Sequence, residues 1–279
     1  MPTVVLSTGR CGTQWLTETL RELYGDMVRV EHEPLGALYS PRRFFRSYAQ
    51  PEAVLKMPEV RAHVDAIAAC NRPYIETGWP LFAALPLFAA RFGAELRVIH
   101  LTRHPVPSAL SHMVHNSFAG SDREDPYTRL ATLGPSDPRV FQPEYADRWD
   151  DLTPYEKCLF WVTEVGLFGL EFEALYPEIP FLRVQSERML AGDRTTLTGL
   201  CEHMELGWDE RWAERTRTRV DQWHHHTDAE VDPLLIERHP RALATAERLG
   251  YRGAEVDLEA LRARYSARPS DRSGAASSR

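Results

Sequence analysis

Short, nearly continuous apolar runs alternate with longer segments of helical spacing along most of the chain. Continuous apolar runs predict buried strands, and apolar residues three and four apart predict helices. The predicted strands are Val4 to Leu6, residues 27–34, Tyr74 to Thr77, residues 95–103 and Ile179 to Val184. The predicted helices are Gln14 to Tyr24, Pro58 to Cys70, Leu81 to Phe92, Pro105 to His115, and residues 154–176, 194–206 and 239–249. Because strands that alternate with helices pair in parallel, we predict an α/β fold in which helices cover a central parallel sheet.

Two segments depart from this alternation. Residues 119–150 are polar and rich in proline, and we expect them to form a loop or lid rather than a core element. Residues 266–279 have the composition of a disordered tail. No shift in composition marks a boundary before that tail, so we predict one domain over residues 1–265.

The composition excludes several classes of protein. The formal net charge of -7 argues against a general nucleic-acid binder, so an anion site has to be a local basic pocket. No apolar run approaches the length of a membrane span, and we see no secretory signal. The four cysteines, at positions 11, 70, 158 and 201, have no paired spacing, which favours free thiols. We therefore expect a cytoplasmic protein.

The segment STGRCGTQW, residues 7–15, joins the first predicted strand to the first predicted helix. Gly9 and Gly12 let the backbone approach a ligand closely, and Arg10 adds a permanent positive charge. The backbone N–H groups and the positive end of the helix dipole favour an anion at the same place. Hydroxyl donors come from Ser7, Thr8 and Thr13. The segment predicts a site for a phosphate-like anion, and the alternative is an ordinary turn that contains an arginine.

The commonest nucleotide-binding motifs are absent from this loop. A Walker A loop requires a lysine directly after its last glycine, but Gly12 is followed by Thr13. The only lysines of the chain are Lys56 and Lys157, far from the loop. The G-x-G-x-x-G pattern of nicotinamide-binding proteins is also missing.

A second basic motif, RHPVPSALS, begins at the end of the predicted strand of residues 95–103. Arg103 ends that strand, and Ser111 follows eight residues later on the next predicted helix. An arginine and a serine so placed can hold a second phosphate from two sides. Both motifs lie where parallel strands end, which is where open α/β sheets bind ligands.

Together the two motifs resemble those of PAPS-dependent sulfotransferases (PAPS is 3′-phosphoadenosine 5′-phosphosulfate). STGRCGTQW is similar to the 5′-phosphosulfate loop of that family, and RHPVPSALS is similar to its 3′-phosphate motif. An arginine in the loop is closer to the carbohydrate-type branch than to cytosolic relatives, which carry lysine. The resemblance covers residues 3–115 best and implies a bacterial enzyme with a P-loop-like, three-layer α/β/α fold.

The resemblance also implies roles for single residues. Arg10 takes the catalytic basic position and neutralises charge that develops on the bridging oxygen. Trp15 stacks on the adenine. The implied nucleotide-binding residues are Thr8, Gly9, Arg10, Cys11, Gly12, Thr13, Gln14, Trp15, Arg103 and Ser111. No metal ligand is implied.

The acceptor side requires a base, and the segment VEHEPLG supplies candidates. In carbohydrate-type relatives a glutamate at about this distance from the loop, often followed by proline, is the proposed base, which points to Glu33. His32 is the rival because imidazole titrates near neutral pH. Strand alternation predicts that Glu31 and Glu33 lie on one side of the strand and His32 on the other. Gly78 stands where cytosolic relatives carry a catalytic histidine, which favours Glu33.

The resulting hypothesis is transfer of a sulfuryl group from PAPS, as co-substrate, to a hydroxyl of a small-molecule or carbohydrate acceptor. The product nucleotide is PAP (adenosine 3′,5′-bisphosphate). The alternatives are a P-loop kinase-like phosphotransferase and an inactive PAP-binding module. The histidines of WHHHTD, residues 223–228, are interpreted as part of a polar loop rather than as metal ligands. The sequence leaves the acceptor and the oligomeric state open.

Overall fold

A computed structural model describes residues 1–40, 44, 51–115, 117–118, 132–217, 231–252, 256–259 and 261 of the chain. The predictions for residues 119–131, 223–228 and 266–279 lie outside these ranges. Five strands form one sheet in the order β2-β3-β1-β4-β5, and every pair is parallel. The strands are β1 (Pro2–Ser7), β2 (Arg29–His32), β3 (Tyr74–Thr77), β4 (Arg97–Thr102) and β5 (Phe181–Gln185).

The described residues form ten α-helices and five 3₁₀ segments. The α-helices are α1 (Thr13–Tyr24), α2 (Pro51–Val54), α3 (Pro58–Ala68), α4 (Leu85–Phe92), α5 (Pro105–Val114), α6 (Pro154–Leu175), α7 (Ser186–Leu190), α8 (Arg194–His203), α9 (Trp212–Arg215) and α10 (Pro240–Arg248). The 3₁₀ segments are Gly36–Tyr39, Pro80–Ala84, Gly93–Glu95, Pro143–Asp151 and Pro233–Arg238.

The predicted strands and most predicted helices are confirmed to within a few residues. The exception is the helix predicted from Leu81 to Phe92, which divides into a 3₁₀ segment and α4. Pro86 lies in the first turn of α4, where its missing N–H costs nothing and its fixed φ favours a helix start. Thr153 caps α6 with the capping box that its sequence indicates, because Glu156 returns a hydrogen bond to the Thr153 backbone.

Helices cover both faces of the sheet, which confirms the predicted three-layer arrangement. On one face the side chains of Val5, Ile75, Ile99 and Leu101 pack in the same apolar cluster as α1 and α8. On the other face Val4, Leu6 and Val98 pack in one cluster with α4 and α6. Alternation along each buried strand therefore supplies both halves of the core.

The segment expected to form a lid contributes to the core where the structure describes it. Leu133 and Tyr145 are buried in the same cluster as α6, so the expectation that residues 119–150 contain no core element is wrong for this part. Gln142 is also buried, and its side-chain amide donates to the carboxylate of Glu164 on α6 at 3.0 Å. Polar residues fold here because long-range partners on α6 satisfy them.

Two kinds of element were sought within the described ranges. No helix among these residues has both the length and the apolarity needed to cross a membrane. In the same part of the chain, no three His, Cys, Asp or Glu side chains converge in a way that would hold a metal ion.

Candidate active site

The loop between β1 and α1 owes its shape to three residues with positive φ. Gly9 and Gly12 have φ of 81° and 88°, and Arg10 between them has φ of 56°. A non-glycine residue in this region is uncommon and is found mainly where structure or function demands it. Gly12 is the N-cap of α1 and offers no side chain to the first-turn N–H groups. These donors and the helix dipole therefore meet at a place suited to an anion.

Hydrogen bonds and packing contacts from neighbouring elements hold the loop between β1 and α1 in place. The indole Nε1 of Trp161 on α6 donates to the Thr8 carbonyl at 3.1 Å, and the Ser7 hydroxyl accepts from the Gly9 N–H at 3.1 Å. A Cβ on Gly9 would lie 3.0 Å from Cγ of Trp79, so the backbone here packs directly on an indole. The loop is therefore held rigidly before any ligand binds.

Cys11 points into the protein rather than toward a ligand. Its side chain is 1% exposed, and its Sγ donates to the Gly9 carbonyl at 3.1 Å. Burial raises the pKa of the Cys11 thiol above its usual value, although a hydrogen bond with Thr8 opposes that shift. Only the backbone of Cys11 can contribute to the predicted nucleotide site.

The two predicted basic motifs are in direct contact. Nη1 of Arg103 donates to the carbonyl oxygen of Arg10 at 2.8 Å. In the other direction, Nε of Arg10 donates to the Ser111 hydroxyl at 3.0 Å. Two segments more than ninety residues apart in sequence therefore form one basic site at the carboxyl ends of β1 and β4.

One face of α5 supports this contact through Ser108 and His112, two residues that were not predicted to belong to the site. Ser108 is fully buried with its Oγ 3.4 Å from the Thr8 hydroxyl. His112 is buried beside Arg10, and burial, with a smaller effect of Arg10, lowers its pKa to about 3. His112 is consequently neutral at pH 7 and adds no charge to the two guanidiniums. The sequence does contain a signal for both residues, because helical spacing places positions 108 and 112 on the same face of α5 as position 111.

A third residue that was not predicted, Glu187, holds the turn that carries Arg103. Its Oε1 accepts from the His104 backbone N–H at 2.9 Å, and its Oε2 accepts from the Tyr251 hydroxyl at 3.1 Å. Tyr251 is 3% exposed and also contacts the Thr102 hydroxyl at 3.0 Å. The ends of β4 and β5 and the segment after α10 are joined through this carboxylate.

The candidate bases follow β2, and the predicted alternation stops at His32. Glu31 pairs with Arg29 at 2.9 Å, as expected for a residue on an edge strand. Glu33 leaves the strand with φ of 49°, so it does not continue on the side of Glu31. Its Oε1 lies 3.8 Å from Nε2 of His32, which places the two candidates beside each other rather than on opposite faces.

His32 is tied to the α1 side of the sheet. Its Nδ1 lies 2.9 Å from the hydroxyl of Thr77 and 3.3 Å from that of Thr17. Burial lowers the pKa of His32, and the Glu33 carboxylate only partly opposes this effect. The imidazole is therefore neutral at pH 7 with one nitrogen already engaged. The backbone N–H of Glu33 donates to the Thr77 carbonyl at 2.9 Å.

Glu76, on β3 beside the candidate bases, is a structural residue. It is 0% exposed and accepts from the Tyr39 hydroxyl at 2.7 Å and the Tyr74 hydroxyl at 2.7 Å. Nε2 of His63 lies 2.8 Å from its second oxygen. Burial and the negative charge of Glu76 raise the pKa of both tyrosines. The cluster anchors the 3₁₀ segment that follows Glu33.

The remaining predicted nucleotide contacts differ in how accessible they are. Gln14 is half-buried, with its amide 3.4 Å from the Glu18 carboxylate on the next turn. Thr13 is largely buried in the first turn of α1. Trp15 is 2% exposed, its indole donates to the Arg215 carbonyl at 3.1 Å, and its ring lies 6.0 Å from that of Trp212. Adenine stacking on Trp15 stays a prediction, and it requires the segment around Arg215 to move.

Comparison with known proteins gives matches among solved structures alone, because no protein-family model and no curated protein matches the chain. The sulfotransferase domain from the curacin biosynthetic pathway is 12% identical, with 90% of this chain and 99% of that one aligned and a TM-score of 0.50. A sulfotransferase from Alicyclobacillus acidocaldarius is 12% identical over 91% and 97% of the two chains, with a TM-score of 0.51. The sulfotransferase domain from the Synechococcus PCC 7002 olefin synthase is 15% identical over 90% and 95%, with a TM-score of 0.47. The chain therefore has the fold of sulfotransferases.

Proposed function

We propose that this chain transfers the sulfuryl group of PAPS to a hydroxyl of a small-molecule or carbohydrate acceptor and releases PAP. The observation that carries the proposal is the bond from Arg103 to the Arg10 carbonyl, which joins the two basic motifs at one edge of the sheet. A bisphosphorylated nucleotide needs two anion sites within its own length, and the motifs meet this requirement. The sulfotransferase fold of the chain supports the same reaction.

On the donor side each phosphate has its own set of donors. The 5′-phosphosulfate is assigned to the loop of residues 8–14, where backbone N–H groups, the dipole of α1 and Arg10 all favour negative charge. The 3′-phosphate is assigned to Arg103 and Ser111, since a guanidinium and a hydroxyl suit its oxygens. Trp15 is assigned to the adenine.

On the acceptor side Glu33 is the proposed base. Strands β2 and β1 are separated by β3, and neighbouring strands lie about 4.8 Å apart, so their ends are about 10 Å apart. We place the acceptor hydroxyl and the sulfuryl group in line between Glu33 and Arg10. His32 is the weaker candidate because its Nδ1 is engaged by Thr77 and burial lowers its pKa.

The reaction forms one S–O bond and breaks another. The acceptor oxygen attacks sulfur while Glu33 takes its proton, and the bond from sulfur to the bridging oxygen breaks. The electron pair stays on the 5′-phosphate of PAP, where Arg10 and the first-turn N–H groups of α1 stabilise the added charge. As in phosphoryl transfer, positioning and electrostatics supply most of the rate enhancement.

The four cysteines, at positions 11, 70, 158 and 201, are free thiols, which supports action in a reducing compartment such as the cytoplasm.

The direct test is transfer of sulfur-labelled PAPS to pooled hydroxylated metabolites and carbohydrates by the purified protein, with Arg10→Ala as the matched control. We expect a labelled product and stoichiometric PAP with the wild type, and at least a hundredfold less with the variant. Magnesium-dependent turnover of ATP instead would indicate a kinase-like phosphotransferase. PAP binding without transfer to any acceptor would indicate an inactive nucleotide-binding module.

A further inference from the structure

Gly78 and Glu33 face each other at the carboxyl ends of β3 and β2. The Glu33 N–H donates to the carbonyl of Thr77, so the backbone beside Gly78 is fixed against the turn after β2. A Cβ built on Gly78 would lie 2.4 Å from Cγ of Glu33, and 3.3 and 3.4 Å from its backbone N and Cα. The Glu33 side chain therefore fills the volume that any side chain at position 78 would need.

Both residues adopt backbone conformations that make this contact possible. Gly78 has φ of +139°, which L-residues rarely adopt, and Glu33 has φ of 49°. The positive φ of Glu33 turns its side chain out of the strand alternation and toward Gly78. Positive φ is unfavourable for a glutamate, so the surrounding contacts must hold the backbone of Glu33 in this strained conformation.

We propose that Gly78 is a positioning residue for Glu33, because the absence of a side chain there forms the slot in which the Glu33 side chain lies. The catalytic consequence rests on the proposed function, whereas the slot itself does not. With glycine at position 78, that position supplies no base. The proposed base is Glu33, on the β2 side of the site.

The slot is tested by a double-mutant cycle in thermal stability. Gly78→Ala is measured in the wild type and in Glu33→Ala, which removes the Cγ that the new Cβ would strike. We expect the loss in melting temperature to be at least twice as large in the wild type as in the Glu33→Ala background. Gly93→Ala is the matched control, because Gly93 also has positive φ, +53°, but nothing lies within 4 Å of its added Cβ.

Equal losses of melting temperature on Gly78→Ala in the wild type and in Glu33→Ala would overturn the slot. It would also be overturned if neither Gly78→Ala nor Glu33→Ala/Gly78→Ala folds. Folding of Glu33→Ala/Gly78→Ala where Gly78→Ala alone does not fold would support it. The control change at Gly93 should cost the same in both backgrounds, since it has no contact with Glu33.

The positioning role is tested separately by sulfuryl transfer. Gly78→Ala should lower kcat at least tenfold while the Kd for PAP changes less than threefold. In the Glu33→Gln background the same change should lower kcat less than twofold, because the group it displaces is no longer a base. The positioning role would be overturned if Gly78→Ala lowered kcat by the same factor in the wild type and in Glu33→Gln. Wild-type kcat in Gly78→Ala would overturn it as well. Absence of transfer in the wild type would reject the proposed function and leave the stability cycle intact.

Discussion

Nη1 of Arg103 donates to the carbonyl oxygen of Arg10 at 2.8 Å. Arg10, whose carbonyl oxygen accepts this hydrogen bond, has positive φ. The bond therefore holds the loop where its backbone conformation is least common. A guanidinium carries five donors in a planar fork, and one bond to a carbonyl leaves capacity for a phosphate. In the proposed function Arg103 therefore has two tasks, to hold the shape of the 5′-phosphosulfate loop and to bind the 3′-phosphate.

Replacing Arg10 tests the charge stabilisation assigned to it. Arg10→Ala removes the cation beside the bridging oxygen, and we expect kcat to fall by about 10²- to 10³-fold, the usual cost of losing one transition-state donor. Arg10→Lys keeps the charge but loses the planar donor that reaches Ser111 at 3.0 Å, so we expect an intermediate loss. Steady-state kinetics with saturating acceptor measures both. The exposed Arg194→Ala serves as control, and equal kcat in Arg10→Ala and Arg194→Ala would contradict the assignment.

Replacing Glu33 tests the base. Glu33→Gln preserves the size of the side chain, so its fit against Gly78 is retained while proton acceptance is lost. We expect kcat to fall by about 10²- to 10⁴-fold, the typical contribution of general base catalysis. His32→Asn should lower kcat by no more than about tenfold, because the imidazole is tied to Thr77. A larger loss in His32→Asn than in Glu33→Gln would assign the base to His32.

Much of this fold is readable from the sequence, and the reasons are local. The bounds of the strand Tyr74–Thr77 agree with the sequence prediction, because residues that favour strands lie there between Pro73 and Gly78. The 3₁₀ segment Pro143–Asp151 was hidden in a polar, proline-rich stretch, because its burial depends on partners on α6 that are distant in sequence. Local periodicity carries no information about such partners.

The sequence predicts the chemistry of the candidate site but not the contacts between its residues. The residue types and spacing of STGRCGTQW and RHPVPSALS predict an anion site, because charge and donor count follow from composition. That Arg103 bonds to a backbone carbonyl, or that Gly78 makes room for Glu33, depends on strand order and loop conformation, which the sequence pattern does not contain. The burial of Trp15 under α9 was likewise beyond the sequence, since Trp212 is almost two hundred residues away.

Removing the Glu187 carboxylate should loosen the turn that carries Arg103. Glu187→Ala leaves the His104 N–H and the Tyr251 hydroxyl without their acceptor, at 2.9 and 3.1 Å in the native protein. We expect a loss of about 2–3 kcal/mol in the free energy of unfolding, because buried donors lose charge-assisted bonds. Tyr251→Phe removes one of the two bonds to Glu187, together with the contact to the Thr102 hydroxyl, and should cost no more than Glu187→Ala. Chemical denaturation measures both, and an unchanged Glu187→Ala would contradict the anchoring role.

The buried carboxylate of Glu164 makes stability depend on pH. Burial raises the pKa of Glu164 to about 7, although hydrogen bonds from Phe141 and Gln142 oppose the shift. Because the folded-state pKa lies above the unfolded one, the stabilising contribution is complete below about pH 4.5 and is lost as the pH rises through 7. Relative to Glu164→Gln, the wild type should lose roughly 2–3 kcal/mol of unfolding free energy between pH 5 and pH 8. Parallel pH dependence in the two proteins would contradict this effect.

The most direct test of the account compares PAP with adenosine 5′-monophosphate by calorimetric titration of the wild type and of Arg103→Ala. The two nucleotides differ only in the 3′-phosphate, which is assigned to Arg103 and Ser111. We predict that the wild type binds PAP at least tenfold more tightly than the monophosphate, since a charge-assisted bond contributes about 1.5–3 kcal/mol, and that Arg103→Ala removes most of this preference. Equal affinity of the wild type for both nucleotides, or an undiminished preference in Arg103→Ala, would contradict the joint site of Arg10 and Arg103.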